Sequence, residues 1–363
     1  MVQNAPPLCP RTSGDKILLM DLGRTPEEPP DVKPGYMPRI FPYAAFLGII
    51  GVYYFVAVVL GLQPALGRGL SAAIGVRIVP LLVVFYLLGL GIWTALVRER
   101  TVSGTAKRLR AEALSWDMVE RLVGIPFFIL GTVFIFDIYA TFKQAIPELT
   151  AYGSDPWLAA VDGFLHLGRD PWRWSHSVLG EAGLAFLDQV YTSWYAVLVA
   201  SIPIFATWAP NRIRHRFFLT FSAVMMMGGS FGAILFASGG PAYFGEFTGN
   251  AARFGPLLEA LQGTQALATQ GRLWEYFSSE ATNLYGGISA MPSMHVAVVV
   301  LIGIAGTRWN RWVGLAAVGY AGLIFVGSFH LGWHYAVDGY ASAVLVGTIW
   351  FLTRWVVAER SVT

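Results

Sequence analysis

Cysteine is almost absent from this chain. Cys9 stands alone, which excludes an intramolecular disulfide and leaves the redox compartment open. Charge is scarce as well: Asp, Glu, Lys and Arg make up 13% of the residues, against 55% hydrophobic residues and a mean hydropathy of +0.55. So few charges cannot coat the exterior of a soluble domain of 363 residues. The formal net charge of +3 is too small to point to nucleic acid as a partner. No apolar core of the signal-peptide kind stands near the start, and no short-period repeat divides the chain.

Long apolar runs take the place of the missing charge. A spanning helix needs about 20 largely apolar residues. Eight such stretches occur, at roughly 40–62, 78–97, 122–142, 182–208, 217–237, 290–307, 313–333 and 336–357. The expected fold is all-α, a polytopic helical bundle of about eight transmembrane helices, with the bilayer as its surroundings. Residues 1–39 hold Pro6, Pro7, Pro10, Pro26, Pro29, Pro30, Pro34 and Pro38 among mixed charges and are expected to form a loosely packed tail. Residues 40–120 are expected to supply two accessory spans and a basic loop, and 121–358 one helical membrane domain, the one that carries the motifs described below.

Basic residues are retained on the cytoplasmic side of a membrane. With both termini inside, 18 of the 25 Lys and Arg fall on inner segments. Only Arg68, Arg77, Lys143, Arg169, Arg173, Arg253 and Arg272 fall outside. This topology puts His295, His334 and Asp338 on the exoplasmic side, periplasmic or luminal.

Pro292-Ser293-Met294-His295 opens one apolar run, and His334-Tyr335-Ala336-Val337-Asp338 follows a basic inner turn and a second run, 39 residues later. Two antiparallel helices of membrane length return both histidines to one depth. Read as helical, His334 and Asp338 share a face, so the carboxylate holds one imidazole nitrogen and leaves the other as a nucleophile. Pro292 suits a first helical turn, where Ser293 and the free amides can receive phosphate. An isolated interfacial histidine is usually structural, but ionisable groups within spans are costly and tend to be functional. His330, His334 and Asp338 are also spaced for a metal site, yet no further ligand cluster accompanies them, so no metal is expected. A transporter using the histidines as a proton relay is the reading from another class. It would call for carboxylates scattered through many spans, and here they gather at one end.

At these residues the sequence resembles the type 2 phosphatidic acid phosphatase superfamily, whose second motif is Pro-Ser-x-His and whose third ends in His-x-x-x-Asp. The run Ala290-Met291-Pro292-Ser293-Met294-His295-Val296-Ala297 and His334 to Asp338 look most like the inositol phosphorylceramide synthase branch. Gly239-Gly240-Pro241-Ala242-Tyr243 and Gly168-Arg169-Asp170-Pro171-Trp172 add to the similarity, which covers roughly 122–355. The resemblance implies a six-helix phosphatase-like core and no cofactor. It implies that His334 attacks phosphorus, that Asp338 orients and charge-stabilises it, and that His295 protonates the departing alkoxide. It also makes Gly240 and Tyr243 candidate substrate contacts, with His330 beside them. The chain departs from the pattern in two places: the first motif, Lys followed at a distance by Arg-Pro, is absent, and Ser328 stands where the third motif usually has Arg. Lys143 is the leading substitute cation, with Arg272, Arg253 and Arg169 behind it.

Asp137 and Asp188 lie in apolar runs near the outer end. A buried carboxylate is expensive unless paired or wet, so both are candidates for binding the hydroxyls of a polar headgroup. The structural alternative is a hydrogen bond to Tyr139, Tyr191 or Trp194. The expected function is transfer of a phospho-headgroup, inositol phosphate or similar, from a phospholipid donor to a lipid alcohol acceptor. The alternative is a lipid phosphate phosphatase with water as acceptor.

Overall fold

The computed structural model describes residues 36–64, 79–99, 102–113, 115–279 and 287–357; most of the proline-rich segment 1–39 lies outside them. Among the described residues every regular element is helical. Six helices are long and apolar enough to cross a membrane, and two shorter apolar ones, Pro80–Leu96 and Met294–Trp309, accompany them. Each of the eight apolar stretches read from sequence therefore corresponds to a helix.

Helix α1 (Tyr36–Val59) and α2 (Val79–Trp93) are followed by the polar α3 (Val102–Ala113) and the 34-residue α4 (Trp116–Leu149). Ser115 caps α4, its side chain accepting from the Met118 amide. After the short α5 (Asp155–Leu165) come α6 (Pro171–Thr192) and α7 (Trp194–Thr207). Gly180, at φ 58° and ψ −163°, interrupts α6, in a backbone conformation a side chain would oppose. Helix α8 (Asn211–Met226) continues through a π turn, Met227–Gly232. Three short helices, α9 (Phe244–Thr248), α10 (Gly255–Ala260) and α11 (Gln265–Ser278), precede α12 (Met294–Trp309), α13 (Arg311–His330) and α14 (Ala336–Val356).

Phe46, Phe128, Phe142, Phe217, Phe218 and Phe221 fill the interior. Many outward side chains are equally apolar, among them Phe55, Val59, Phe85, Val344 and Phe351. That distribution suits lipid as the surrounding solvent. Small residues draw α12 and α13 together: a Cβ on Gly314 would overlap the Thr307 backbone.

The bundle has two chemically distinct ends. At one, Arg121 donates to the carbonyls of Thr207 and Ala209 at 2.8 and 3.2 Å, and Arg216 donates to Trp350 O at 2.6 Å and Thr353 Oγ1 at 3.2 Å. Thr207 is the last residue of α7, so its carbonyl is one that helical bonding leaves free. At the other end α8 finishes against Pro292 and Met294, and α12 and α14 begin.

Candidate active site

The second motif is held by its own cap. Ser293 is fully buried, and its Oγ accepts from the Val296 amide at 3.4 Å to open α12. Helix α12 thus begins one residue after Ser293, and Pro292, preceded by a cis peptide bond, precedes the cap rather than entering the first turn. His295 follows in that turn. Its ring stacks on Tyr191 at 5.0 Å between centroids and lies 4.2 Å from Trp194, whose Nε1 donates to the His295 carbonyl at 3.0 Å.

The third motif is less helical than its spacing suggests. Helix α13 ends at His330, Leu331–His334 make a turn, Tyr335 is the cap, and α14 starts at Ala336. His334 therefore precedes the helix that carries Asp338. Its backbone amide donates to Ser328 O at 3.0 Å, and its Nδ1 lies 2.8 Å from Ala290 O. A carbonyl only accepts, so this contact requires the proton on Nδ1 and leaves Nε2 with a lone pair. Asp338 Oδ2 is 3.5 Å from the same Nδ1 and accepts the Tyr335 amide at 3.0 Å; Oδ1 is buried with no hydrogen-bond partner. The His295 and His334 rings meet at 5.7 Å and 61°. A basic nitrogen, an adjacent carboxylate and a second imidazole stand within one phosphate's reach.

Other residues singled out from sequence fall into two groups. Lys143 sits over the Tyr139 ring, its Nζ 5.9 Å from the centroid, with its charge in electrostatic reach of His295. Gly240, at φ +84°, brings the backbone against Trp333 O, where a Cβ would approach to 2.7 Å. Ala242 N donates to Gly332 O at 2.9 Å, and Tyr243 donates to Gln270 O at 3.0 Å while Gln270 Nε2 donates to Leu331 O at 2.9 Å. The Gly-Gly-Pro loop is therefore a brace for the His334 turn.

Of the remaining residues, Asp188, Arg272 and His330 are bonded to groups other than the two histidines. Both oxygens of Asp188 accept first-turn amides of α11, Gln265 at 2.8 Å and Ala266 at 2.9 Å. Arg272 is exposed and bonds Thr269 Oγ1 at 2.9 Å. Asp137 is half-buried on α4. His330 turns to α6, where Nδ1 meets Ser175 Oγ at 2.7 Å and the His176 ring lies 4.1 Å away. The helix break between His330 and His334 removes the single face on which His330, His334 and Asp338 would align. No cluster of three or more His, Cys, Asp or Glu suited to a metal occurs among the described residues.

Sequence reading missed two carboxylates, Asp155 and Asp162, seven apart on α5. Asp162 accepts the Ala336 and Val337 amides at 3.1 and 3.0 Å and so closes the N-terminus of α14 just ahead of Asp338. Burial pushes its carboxyl up to about 6, against the opposing pull of those amides and of His166. Partners 174 residues away leave no spacing signal.

The family model described as the PAP2 superfamily matches residues 156–352, more than half of the chain and the part that carries this geometry. The chain belongs to the PAP2 superfamily. Comparison with curated proteins and with solved structures returned no match. PAP2 membership supports phosphatase- or phosphotransferase-type chemistry on membrane lipids. The match begins after α4, so Asp137 and Lys143 lie outside the PAP2 region.

Proposed function

We propose that this protein transfers a phospho-headgroup from a phospholipid to a lipid alcohol on the exoplasmic leaflet, through a phosphohistidine on His334. The observation that carries the reading is the Nδ1 contact of His334 with Ala290 O at 2.8 Å, with the His295 ring 5.7 Å from that of His334.

The steps follow from these positions. His334 Nε2 attacks phosphorus, an N–P bond forms and the P–O bond to the lipid alkoxide breaks. His295 delivers a proton to that oxygen as general acid. Developing imidazolium charge on His334 is compensated by Asp338, and Lys143 is the candidate cation for the phosphate oxygens. An acceptor hydroxyl then gives its proton to His295 and attacks phosphorus, releasing His334. Tyr191, Trp194 and Trp333 wall the His295 side with aromatic surface, which favours an apolar alcohol over water. Likeness of the two motifs to the inositol phosphorylceramide synthase branch supports the same choice.

A second reading, hydrolysis of a lipid phosphate, uses the same three groups. It is favoured by the partial exposure of His295, which admits water. The deciding experiment is mass spectrometry of lipid products after incubating purified enzyme with mixed phospholipids and candidate acceptor alcohols. A new phosphodiester lipid supports transfer; free phosphate without one supports hydrolysis.

A further inference from the structure

We propose that Asp155 positions His334 for attack through a closed ring of hydrogen bonds, without touching the substrate. The inference rests on His334 being the nucleophile.

Asp155 opens α5 and is 1% exposed. Its Oδ2 accepts the Gly239 amide at 2.8 Å, and its Oδ1 accepts both the Gly240 amide and the Tyr335 hydroxyl at 2.8 Å. From Gly239 the chain steps to Ser238, whose carbonyl accepts the Ala290 amide at 2.9 Å and whose Oγ accepts the Met291 amide at 3.2 Å. Ala290 O then takes the Nδ1 proton of His334 at 2.8 Å. The peptide bond from His334 to Tyr335 closes the ring back to Asp155.

Within this ring His334 is gripped from two directions. Ala290 fixes the tautomer and the ring plane, and Tyr335 fixes the backbone from which the imidazole hangs. Asp155 supplies acceptors to both arms and is the ring's one ionisable carboxylate. Burial raises its carboxyl, and the Gly239 amide, the Tyr335 hydroxyl and the Gly240 amide pull it back down. An unpaired carboxylate at this depth would be costly. With three donors it becomes a rigid tie between the Gly-Gly-Pro loop and the third motif. Small displacements of a reacting atom are expensive in rate: about 1 Å costs on the order of 10²-fold.

The test uses the full-length enzyme in detergent or vesicles and compares Tyr335→Phe, Ser238→Ala and Asp155→Asn. Tyr335→Phe keeps the buried ring and removes one bond of the first arm; Ser238→Ala removes one bond of the second. The expected result is a kcat about tenfold lower in each, with KM within about twofold and an unchanged Tm. Asp155→Asn should cost about 100-fold, and the Asp155→Asn, Tyr335→Phe double variant should be no slower, because both cut one ring. Single-turnover loading of His334 should fall in the same ratios. Wild-type kcat in Tyr335→Phe and Ser238→Ala, or losses confined to KM or Tm, would overturn the positioning role. His334→Ala runs alongside: activity there would sink the nucleophile reading itself, whereas an inactive His334→Ala with wild-type kcat in the ring variants sinks only the ring.

Discussion

His334 gives its Nδ1 proton to Ala290 O at 2.8 Å, while Asp338 Oδ2 stands farther off at 3.5 Å. The tautomer is thus set by a backbone carbonyl, and the carboxylate acts on His334 chiefly through its charge. Asp338→Asn should then lower kcat on the order of 10²-fold, the size of a lost electrostatic partner. A loss near 10⁴-fold, as when a catalytic histidine is left in the wrong tautomer, would show that Asp338 and not Ala290 fixes the proton. Steady-state rates of the purified variant decide between them.

Asp162 predicts a pH dependence of stability. Its folded carboxyl lies near 6 against an ordinary value of 3.8, so the folded state binds this proton more tightly than the unfolded chain. The contribution, about 3 kcal/mol, is fully present below pH ~4 and is lost as pH rises through ~6. The ionisable groups facing it are His166 at the C-cap of α5, its Nδ1 3.6 Å from Oδ1, with Asp338 and Tyr340 on α14. Thermal unfolding in detergent between pH 4 and 7 should show this decline in the wild type and a flatter profile in Asp162→Asn. Parallel profiles would remove Asp162 as its source.

Asp188 is the carboxylate whose surroundings differ most from the expectation. Because both oxygens accept amides of α11, Asp188→Ala should cost about 0.5–2 kcal/mol of stability, as the loss of a helix cap does. The ratio of headgroup-donor cleavage to lipid monophosphate cleavage should stay at the wild-type value. A changed ratio with an unchanged Tm would return Asp188 to the headgroup site. Asp137→Asn, measured beside it, is expected to weaken use of the headgroup donor selectively.

The parts of this protein legible in sequence were those with short-range signals. All eight apolar runs are helical, because burial in lipid demands local apolar length. His295, His334 and Asp338 stood out because ionisable groups at the ends of such runs are rare. The helical reading of His334 to Asp338 differed from the structure, since spacing by four does not distinguish a helix from a turn plus cap. Asp155 and Asp162 were illegible for another reason: their partners are backbone amides, which carry no residue identity. The same holds for Ser328, which stands where Arg was expected and offers His334 its carbonyl.

Orientation across the membrane is tested by labelling. The distribution of Lys and Arg predicts that the segment around Ser103 lies inside and that around Asn250 outside. Asn250 is the better outer position, because Gly249 at φ +72° would be strained by a side chain. In a Cys9→Ser background, Ser103→Cys and Asn250→Cys should react with an impermeant reagent from opposite faces, the second from outside. Reaction of both from one face would mean that the number of spans between them is wrong.

Trapping the covalent intermediate tests the central claim most directly. His295→Ala slows turnover by about 10²–10⁴-fold, because proton transfer is lost, yet it leaves His334 able to accept phosphorus slowly. The variant is mixed with a headgroup-bearing phospholipid, quenched in alkali, where phosphohistidine survives, and digested for mass spectrometry. The expected result is an adduct on the peptide carrying His334, with the headgroup still attached to phosphorus, and none in His334→Ala. A bare phosphoryl group on His334 would favour the phosphatase reading over transfer. An adduct on another residue, or full turnover by His334→Ala, would contradict the phosphohistidine mechanism.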